Sequence, residues 1–209
     1  MNSKFIVFEG VEGCGKTSQI QLCKEWLQSF YLSVVVTREP GGTDLGLHLR
    51  RLLLEAGSNS ISDRTELLLY AADRAQHVDQ TIKPAIQDGS VVLCDRYTDS
   101  TVAYQGWGRG MNIDMIEQLN LIATSGFQSH LTILLDIDPE ISFQRILTHR
   151  KLDRMEQEDL SFHHRVRNGY LSIANKYPER IVVINANQSI DNVALDIQKN
   201  LRAFFSFGR

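Results

Sequence analysis

Residues 10–17 read Gly-Val-Glu-Gly-Cys-Gly-Lys-Thr, a complete match to the pattern G-x-x-x-x-G-K-[ST]. The apolar run Lys4–Glu9 leads into this stretch, and a helical pattern, Thr17–Phe30, leads out of it. A strand that passes through such a loop into a helix leaves few folds open, because bare backbone amides and the helix N-terminus must face one anion together. Gly10, Val11, Glu12, Gly13, Cys14, Gly15, Lys16 and Thr17 are therefore the expected phosphate-binding loop of a nucleoside triphosphate site. Lys16 is expected to bridge the β- and γ-phosphates, and the Thr17 hydroxyl to hold Mg²⁺. Cys14 reads as a small filler of the loop.

Four more short apolar runs follow, Ser33–Thr37, Ser90–Asp95, Leu131–Asp136 and Arg180–Asn185. Between and after them lie helical patterns over Asp63–Asp88, Ile113–Thr124, Pro139–Arg150, Asp159–Lys176 and Ile190–Phe205. Strands alternating with helices imply a parallel sheet with right-handed crossovers. The expected fold class is α/β, a P-loop NTPase three-layer sandwich with a five-stranded parallel sheet flanked by helices. With 209 residues, 43% of them apolar, and no repeat or linker, residues 1–209 read as a single domain. Glu39–Asp44 and the glycine-rich Gln105–Asn112 are expected as loops, and Arg150–Glu158 as a densely charged connector.

A net charge of −3 gives no field that would hold a duplex or an anionic bilayer, so neither nucleic acid nor membrane is expected as a partner, and anions must be held locally. Three cysteines with no paired spacing point to a reducing, cytoplasmic location. His163 and His164 are expected on the surface, away from any metal cluster.

The third apolar run ends in Asp95-Arg96-Tyr97. A carboxylate at the end of a buried strand is a candidate for the Mg²⁺ shell, and an arginine beside it needs an anionic partner, either Asp95 itself or a ligand. Guanine-reading switches need Asn-Lys-x-Asp, whereas the chain has only Asn175-Lys176-Tyr177-Pro178. Arg38, Arg50, Arg74, Arg96, Arg150 and Arg154 together exceed what one triphosphate needs, which a second, phosphorylated substrate would explain. Such an acceptor carries its own anionic nucleophile and asks only for positioning and charge neutralisation.

Five blocks carry a closer resemblance: Phe8 to Thr17, Thr37-Arg38-Glu39-Pro40-Gly41-Gly42-Thr43, Tyr70-Ala71-Ala72-Asp73-Arg74, Asp95-Arg96-Tyr97 continuing through Ser100-Thr101 and Ala103-Tyr104-Gln105-Gly106, and Leu152-Asp153-Arg154-Met155-Glu156. In this order and spacing the chain resembles the thymidylate kinase family, over nearly its whole length. The resemblance implies transfer of the γ-phosphoryl of ATP to dTMP with Mg²⁺. The alternatives are another nucleoside monophosphate kinase or a deoxynucleoside kinase, and, from another class, a P-loop binding protein or switch. It implies that Glu12 faces the acceptor's 3′-hydroxyl, that Arg38 and Arg96 clamp the acceptor phosphate, and that Glu39 and Arg50 line the same pocket. Tyr70 would stack on thymine, Arg74 would read its carbonyl edge, Ser100, Thr101 and Gln105 would surround it, and Tyr104 would crowd the sugar C2′. Tyr70 and Tyr104 also read, without the resemblance, as core aromatics. A short helical lid at about residues 148–158 would supply the arginine on the transferring phosphoryl, Arg154 first and Arg150 second. The family also implies a homodimer, for which the helix Asp63–Asp88 offers apolar surface.

Overall fold

The computed structural model describes residues 3–54, 61–147 and 153–207. The five apolar runs form β1 (Phe5–Glu9), β2 (Val34–Arg38), β3 (Val91–Asp95), β4 (Leu131–Asp136) and β5 (Ile181–Asn185). All pair in parallel, in the order β2-β3-β1-β4-β5. Because successive side chains alternate across a strand, β1, β3 and β4, buried almost throughout, have both faces covered, whereas the edge strands β2 and β5 are apolar but only partly covered, with Val36 and Val183 exposed. Ile6, Phe8 and Leu93 join a core that takes in Ile20 and Leu27 on one helix and Val193, Ile197 and Leu201 on another. Phe5, Val7, Val92 and Cys94 pack on the opposite face against Val78, Ile82 and Tyr97. β1 is thus the central strand, and the loop it feeds opens beyond the carboxyl ends of β1, β3 and β4, where open α/β sheets bind ligands.

The helices are α1 (Lys16–Gln28), α2 (Asp44–Leu54), α3 (Asp63–His77), α4 (Lys83–Gln87), α5 (Thr98–Thr101), α6 (Ile113–Thr124), α7 (Pro139–Leu147), α8 (Leu160–Lys176) and α9 (Ile190–Phe205). Ser62, Asn112, Asp159 and Ser189 cap α3, α6, α8 and α9 by accepting from first-turn amides. Gly15, at the cap position of α1, has no side chain to do so, which leaves the α1 amides to a ligand.

The structure departs from the sequence reading in three places. The stretch Asp63–Asp88 is not one regular helix: a π turn, Val78–Ile82, separates α3 from α4, whose Pro84 has no N–H for a regular ladder. Gln105–Gly108 is not loop but the end of a π-helical segment, Val102–Gly108, that continues α5. Its glycines serve packing, since a Cβ on Gly108 would lie 2.6 Å from the Phe162 ring of α8, while Gly169 of α8 makes the reciprocal room for Trp107. Arg50 lies on α2, in keeping with the helical pattern around it. His163 is buried, 4% exposed, because α8 turns it inward against Phe143 and Phe162. Of the expected lid, residues 148–152, Arg150 among them, lie outside the described residues; Arg154–Gln157 form a tight turn before α8.

Candidate active site

The loop after β1 uses its glycines for geometry: Gly10, Gly13 and Gly15 all take positive φ, and a Cβ on Gly10 would sit 2.6 Å from the Leu135 carbonyl oxygen. Lys16 is buried, its Nζ donating to the carbonyls of Gly10 (2.9 Å) and Val11 (3.1 Å). Gly13, Gly15, Lys16 and Thr17 open onto a cavity of about 540 Å³. The same cavity is lined by Glu12, Arg38, Glu39, Arg50, Tyr70, Arg74, Asp95, Arg96, Ser100, Thr101, Tyr104 and Gln105, so the phosphate loop and residues widely separated from it in sequence share one space. Gly10, Val11 and Cys14 lie behind the loop, Val11 and Cys14 within the core.

Sheet register assembles the cationic wall. Arg38 at the end of β2 pairs with Asp95 at the end of β3, and Phe8 on β1 pairs with Asp95 from the other side. The chain then turns at Arg96, which takes φ of 73°, a backbone conformation rarely adopted by residues other than glycine. Two β1 groups support that turn: the Arg96 amide donates to the Phe8 carbonyl at 3.0 Å, and Glu9 accepts from the amides of Tyr97 (2.8 Å) and Ser100 (3.2 Å). Glu9 also takes hydrogen bonds from the Ser100 hydroxyl at 2.6 Å and the Tyr170 hydroxyl of α8 at 2.8 Å. Burial, with Asp99 nearby, pushes its carboxyl up to about 7.

The Arg96 guanidinium is held on all sides: Nη2 donates to Glu12 Oε1 at 2.7 Å, and Nη1 to the hydroxyls of Tyr170 (2.9 Å) and Ser100 (3.2 Å). Tyr104 completes the group, its hydroxyl donating to Glu12 Oε2 at 2.5 Å and its ring lying beneath the guanidinium, 4.9 Å from centroid to Cζ. Burial acts to raise the Glu12 carboxyl, but the Arg96 and Lys16 cations outweigh it and hold the group below the usual carboxylate range. For Arg50 both effects act downward, burial first and then the Arg38 cation beside it, the mark of guanidinium groups crowded where an anion belongs. Arg50 Nη1 donates to the Pro40 carbonyl, and the Arg38 guanidinium makes no hydrogen bond among the described residues.

Deeper in the cavity, Arg74 is almost fully buried. Its Nε donates to Glu39 (2.8 Å), Nη1 to Thr101 (2.8 Å) and Asn120 (2.7 Å), and Nη2 to the Tyr97 carbonyl (2.9 Å). Glu39 is in turn held by His77, whose other ring nitrogen meets Thr37. Arg154 stands apart from the cavity wall: its guanidinium donates to the Leu53 carbonyl at 2.8 Å and to Glu66. Neighbouring Asp153, Met155 and Glu156 do line the cavity, as does Arg145 of α7.

One observation bears on a metal. Asp95 Oδ1 is buried with no hydrogen-bond partner among the described residues, which suits a carboxylate oxygen placed for a cation at the strand end. The described residues contain no group of three or more His, Cys, Asp or Glu placed to hold an ion unaided. Mg²⁺ needs none, since it binds through one or two carboxylates together with substrate phosphates and water.

Sequence reasoning missed Glu9, Tyr170, Glu66, His77 and Arg145. Glu9 left a trace, as a carboxylate ending an otherwise apolar strand; Tyr170 and Glu66 sit on amphipathic helices, where nothing in the spacing sets them apart.

A phosphate loop on a parallel five-stranded sheet, facing an arginine-lined acceptor pocket in the same cavity, defines a P-loop nucleoside monophosphate kinase. Comparison with known proteins narrows this class. The family model for thymidylate kinase matches residues 8–197. The chain is 59% identical to a thymidylate kinase of Nostoc punctiforme over 208 residues, 97% of each chain, and 48% identical to one of Gloeobacter violaceus over 97% and 96% of the two. The crystal structure of thymidylate kinase from Ehrlichia chaffeensis superposes with a TM-score of 0.79 at 37% identity, covering 96% of this chain and 98% of that one. The chain belongs to the thymidylate kinase family.

Proposed function

We propose that the chain transfers the γ-phosphoryl group of ATP to dTMP, giving dTDP and ADP, with the triphosphate on the Gly10–Thr17 loop and the acceptor phosphate between Arg38 and Arg96. Family membership supports the reaction. The observation that carries the residue roles is the Glu12–Arg96 ion pair, which ties the donor loop to the acceptor clamp.

An oxygen of the dTMP phosphate is the nucleophile; its bond to the γ-phosphorus forms as the bond from that phosphorus to the β,γ-bridging oxygen breaks. No strong base is required, because the nucleophile is already anionic. Lys16 would leave its loop carbonyls for the β- and γ-phosphates, and Arg38, Arg50 and Arg96 would hold the acceptor in line. Glu12 would orient Arg96 and meet the 3′-hydroxyl. Tyr70 would stack on the base, with Arg74, Thr101 and Gln105 at its edge, and Tyr104 would close off the C2′ position. Arg154 would swing from Glu66 onto the transferring phosphoryl as the lid closes. Thr17 and Asp95 would hold Mg²⁺, which neutralises phosphate charge when bound.

A homodimer in the cytoplasm belongs to the same proposal. Supporting it are the exposed Leu45 and Leu52 of α2 and Leu68 of α3, and three buried cysteines with free thiols. No described helix is long and apolar enough to cross a membrane. A coupled ADP-release assay over dTMP, dUMP, dCMP, dGMP, UMP, thymidine and no acceptor tests the function. Turnover concentrated on dTMP is expected; preference for thymidine, or release without acceptor, would overturn it.

A further inference from the structure

Glu66 of α3 is wholly buried, yet it is surrounded by donors. Its Oε1 accepts from Gln105 Nε2 at 2.7 Å and Arg109 Nε at 2.8 Å; its Oε2 accepts from Arg109 Nη2 at 3.0 Å and from Arg154. Burial alone would raise this carboxyl, but the bonds from Arg109, Gln105 and Arg154 hold it below the usual range, so it is charged. A carboxylate can only accept. A glutamine amide has two flips of nearly equal shape, and facing Glu66 only the one that presents the NH₂ is tolerated. Gln105 lines the cavity, and the atom this flip leaves it for a ligand is its side-chain oxygen Oε1, which accepts no hydrogen bond among the described residues.

Arg74, on the same wall, has five N–H groups. Its hydrogen bonds to Glu39, Thr101, Asn120 and the Tyr97 carbonyl engage four of them, which leaves one Nη2 hydrogen as a donor. The wall therefore offers one acceptor and one donor. With Arg74 at position 4 of the ring, as the reading above has it, Gln105 falls to N3, and a 4-oxo-pyrimidine presents the complement, an N3–H donor beside the O4 acceptor, whereas a 4-aminopyrimidine presents an N3 acceptor to an acceptor and an amino donor to a donor.

We propose that Glu66 is a positioning residue for base selection: by fixing the Gln105 amide it sets the hydrogen-bond polarity of the acceptor pocket in favour of 4-oxo- over 4-amino-pyrimidine monophosphates. The proposal rests on the reading above that Gln105 flanks the pyrimidine. Glu66 touches no substrate in this account; it reaches the base through Gln105, while its bond to Arg154 affects every acceptor alike, so the signature of the proposal is a change in base preference and not in kcat.

The experiment compares kcat/KM for dTMP and dCMP in the full-length protein, in Glu66→Gln, in Gln105→Met and in the double variant. Glu66→Gln frees the amide to flip, and the dTMP:dCMP ratio is expected to fall about tenfold through KM for the acceptor, one hydrogen bond's worth of discrimination. KM for ATP should stay within about twofold, as expected if the effect passes through the base edge. Gln105→Met should lower the ratio by a similar amount, and adding Glu66→Gln to it should lower it no further, as a double-mutant cycle requires. A ratio unmoved by Gln105→Met overturns the proposal even if Glu66→Gln does not fold. So does a Glu66→Gln effect that persists in the Gln105→Met background. A parent protein that turns over dTMP with a ratio indifferent to these changes overturns this inference alone; a parent that does not use dTMP overturns the proposed function as well.

Discussion

Arg96 Nη2 stands 2.7 Å from Glu12 Oε1, so a carboxylate inside the phosphate loop and an arginine at the end of β3 are bound to each other although 84 residues apart. The phosphate loop and the end of β3 are thus mechanically one object. Arg96 cannot move without pulling on Glu12, Tyr104 and Tyr170.

Replacing Arg96 by alanine removes the proposed acceptor clamp and leaves Glu12 without the cation it pairs with. A charge-assisted contact to a phosphate contributes up to about 3 kcal/mol, so kcat/KM for dTMP should fall on the order of a hundredfold. KM for ATP should change by no more than a few-fold, as initial-rate kinetics with each substrate varied will read.

Arg154→Ala addresses the lid. An arginine that meets the phosphoryl group only as it transfers contributes to the transition state and not to the ground state. The expected outcome is a kcat at least about tenfold lower with KM for dTMP nearly unchanged. A change confined to KM would leave Arg154 in its place on Glu66 and the Leu53 carbonyl, and would move attention to Arg145, which already lines the cavity.

Glu9 makes stability depend on pH in an unusual direction. Its carboxyl rises from 4.5 to about 7 on folding, so the folded protein holds that proton more tightly than the unfolded chain. The stability this proton confers is complete below about pH 4.5 and is lost as pH rises to about 7, a span of order 3 kcal/mol. Asp73, raised to about 6 by burial and by Glu39, acts in the same sense. Urea midpoints at about pH 5 and about pH 7.5 should therefore differ less in Glu9→Gln than in the parent protein.

Gly42→Ala tests the acceptor pocket through packing. A Cβ at this position would lie 2.3 Å from His77 Nε2 and 2.9 Å from the Arg38 carbonyl. His77 would have to release Thr37 or Glu39, and Glu39 holds Arg74. Overpacking of this kind costs about 1–3 kcal/mol, so the midpoint of thermal unfolding should drop by roughly 2–10 °C in a chain of this size. KM for dTMP should rise with it, through the disturbed Arg74.

Much of this was legible without coordinates, for identifiable reasons. β1, β3 and β4 announce themselves because a strand buried on both faces must be an unbroken apolar run, and the phosphate loop because its glycines and lysine have few substitutes. The π-helical segment Val102–Gly108 was misread because Gly106 and Gly108 are ordinarily turn residues; here Gly108 is small so that Phe162 can approach. His163 was misread because polarity alone does not say which way a helix faces, and α8 is packed on more than one side. Glu9, Glu66 and Tyr170 act through partners at least 39 residues distant, and such pairings exist only once the sheet has brought them together.

The cross-strand pairing of Arg38 with Asp95 has one more consequence. Arg38 and Arg96, the two arginines proposed to clamp the acceptor phosphate, sit at the ends of hydrogen-bonded strands, whose spacing is fixed at roughly 4.8 Å by the backbone itself. Tyr70, Arg74, Thr101 and Gln105, proposed to face the base, ride instead on helical segments. The protein is a fixed gauge for phosphate coupled to an exchangeable die for the base. A new acceptor specificity could be cut into the helical wall by a few substitutions while the distance between the reacting phosphates stayed under the control of the sheet.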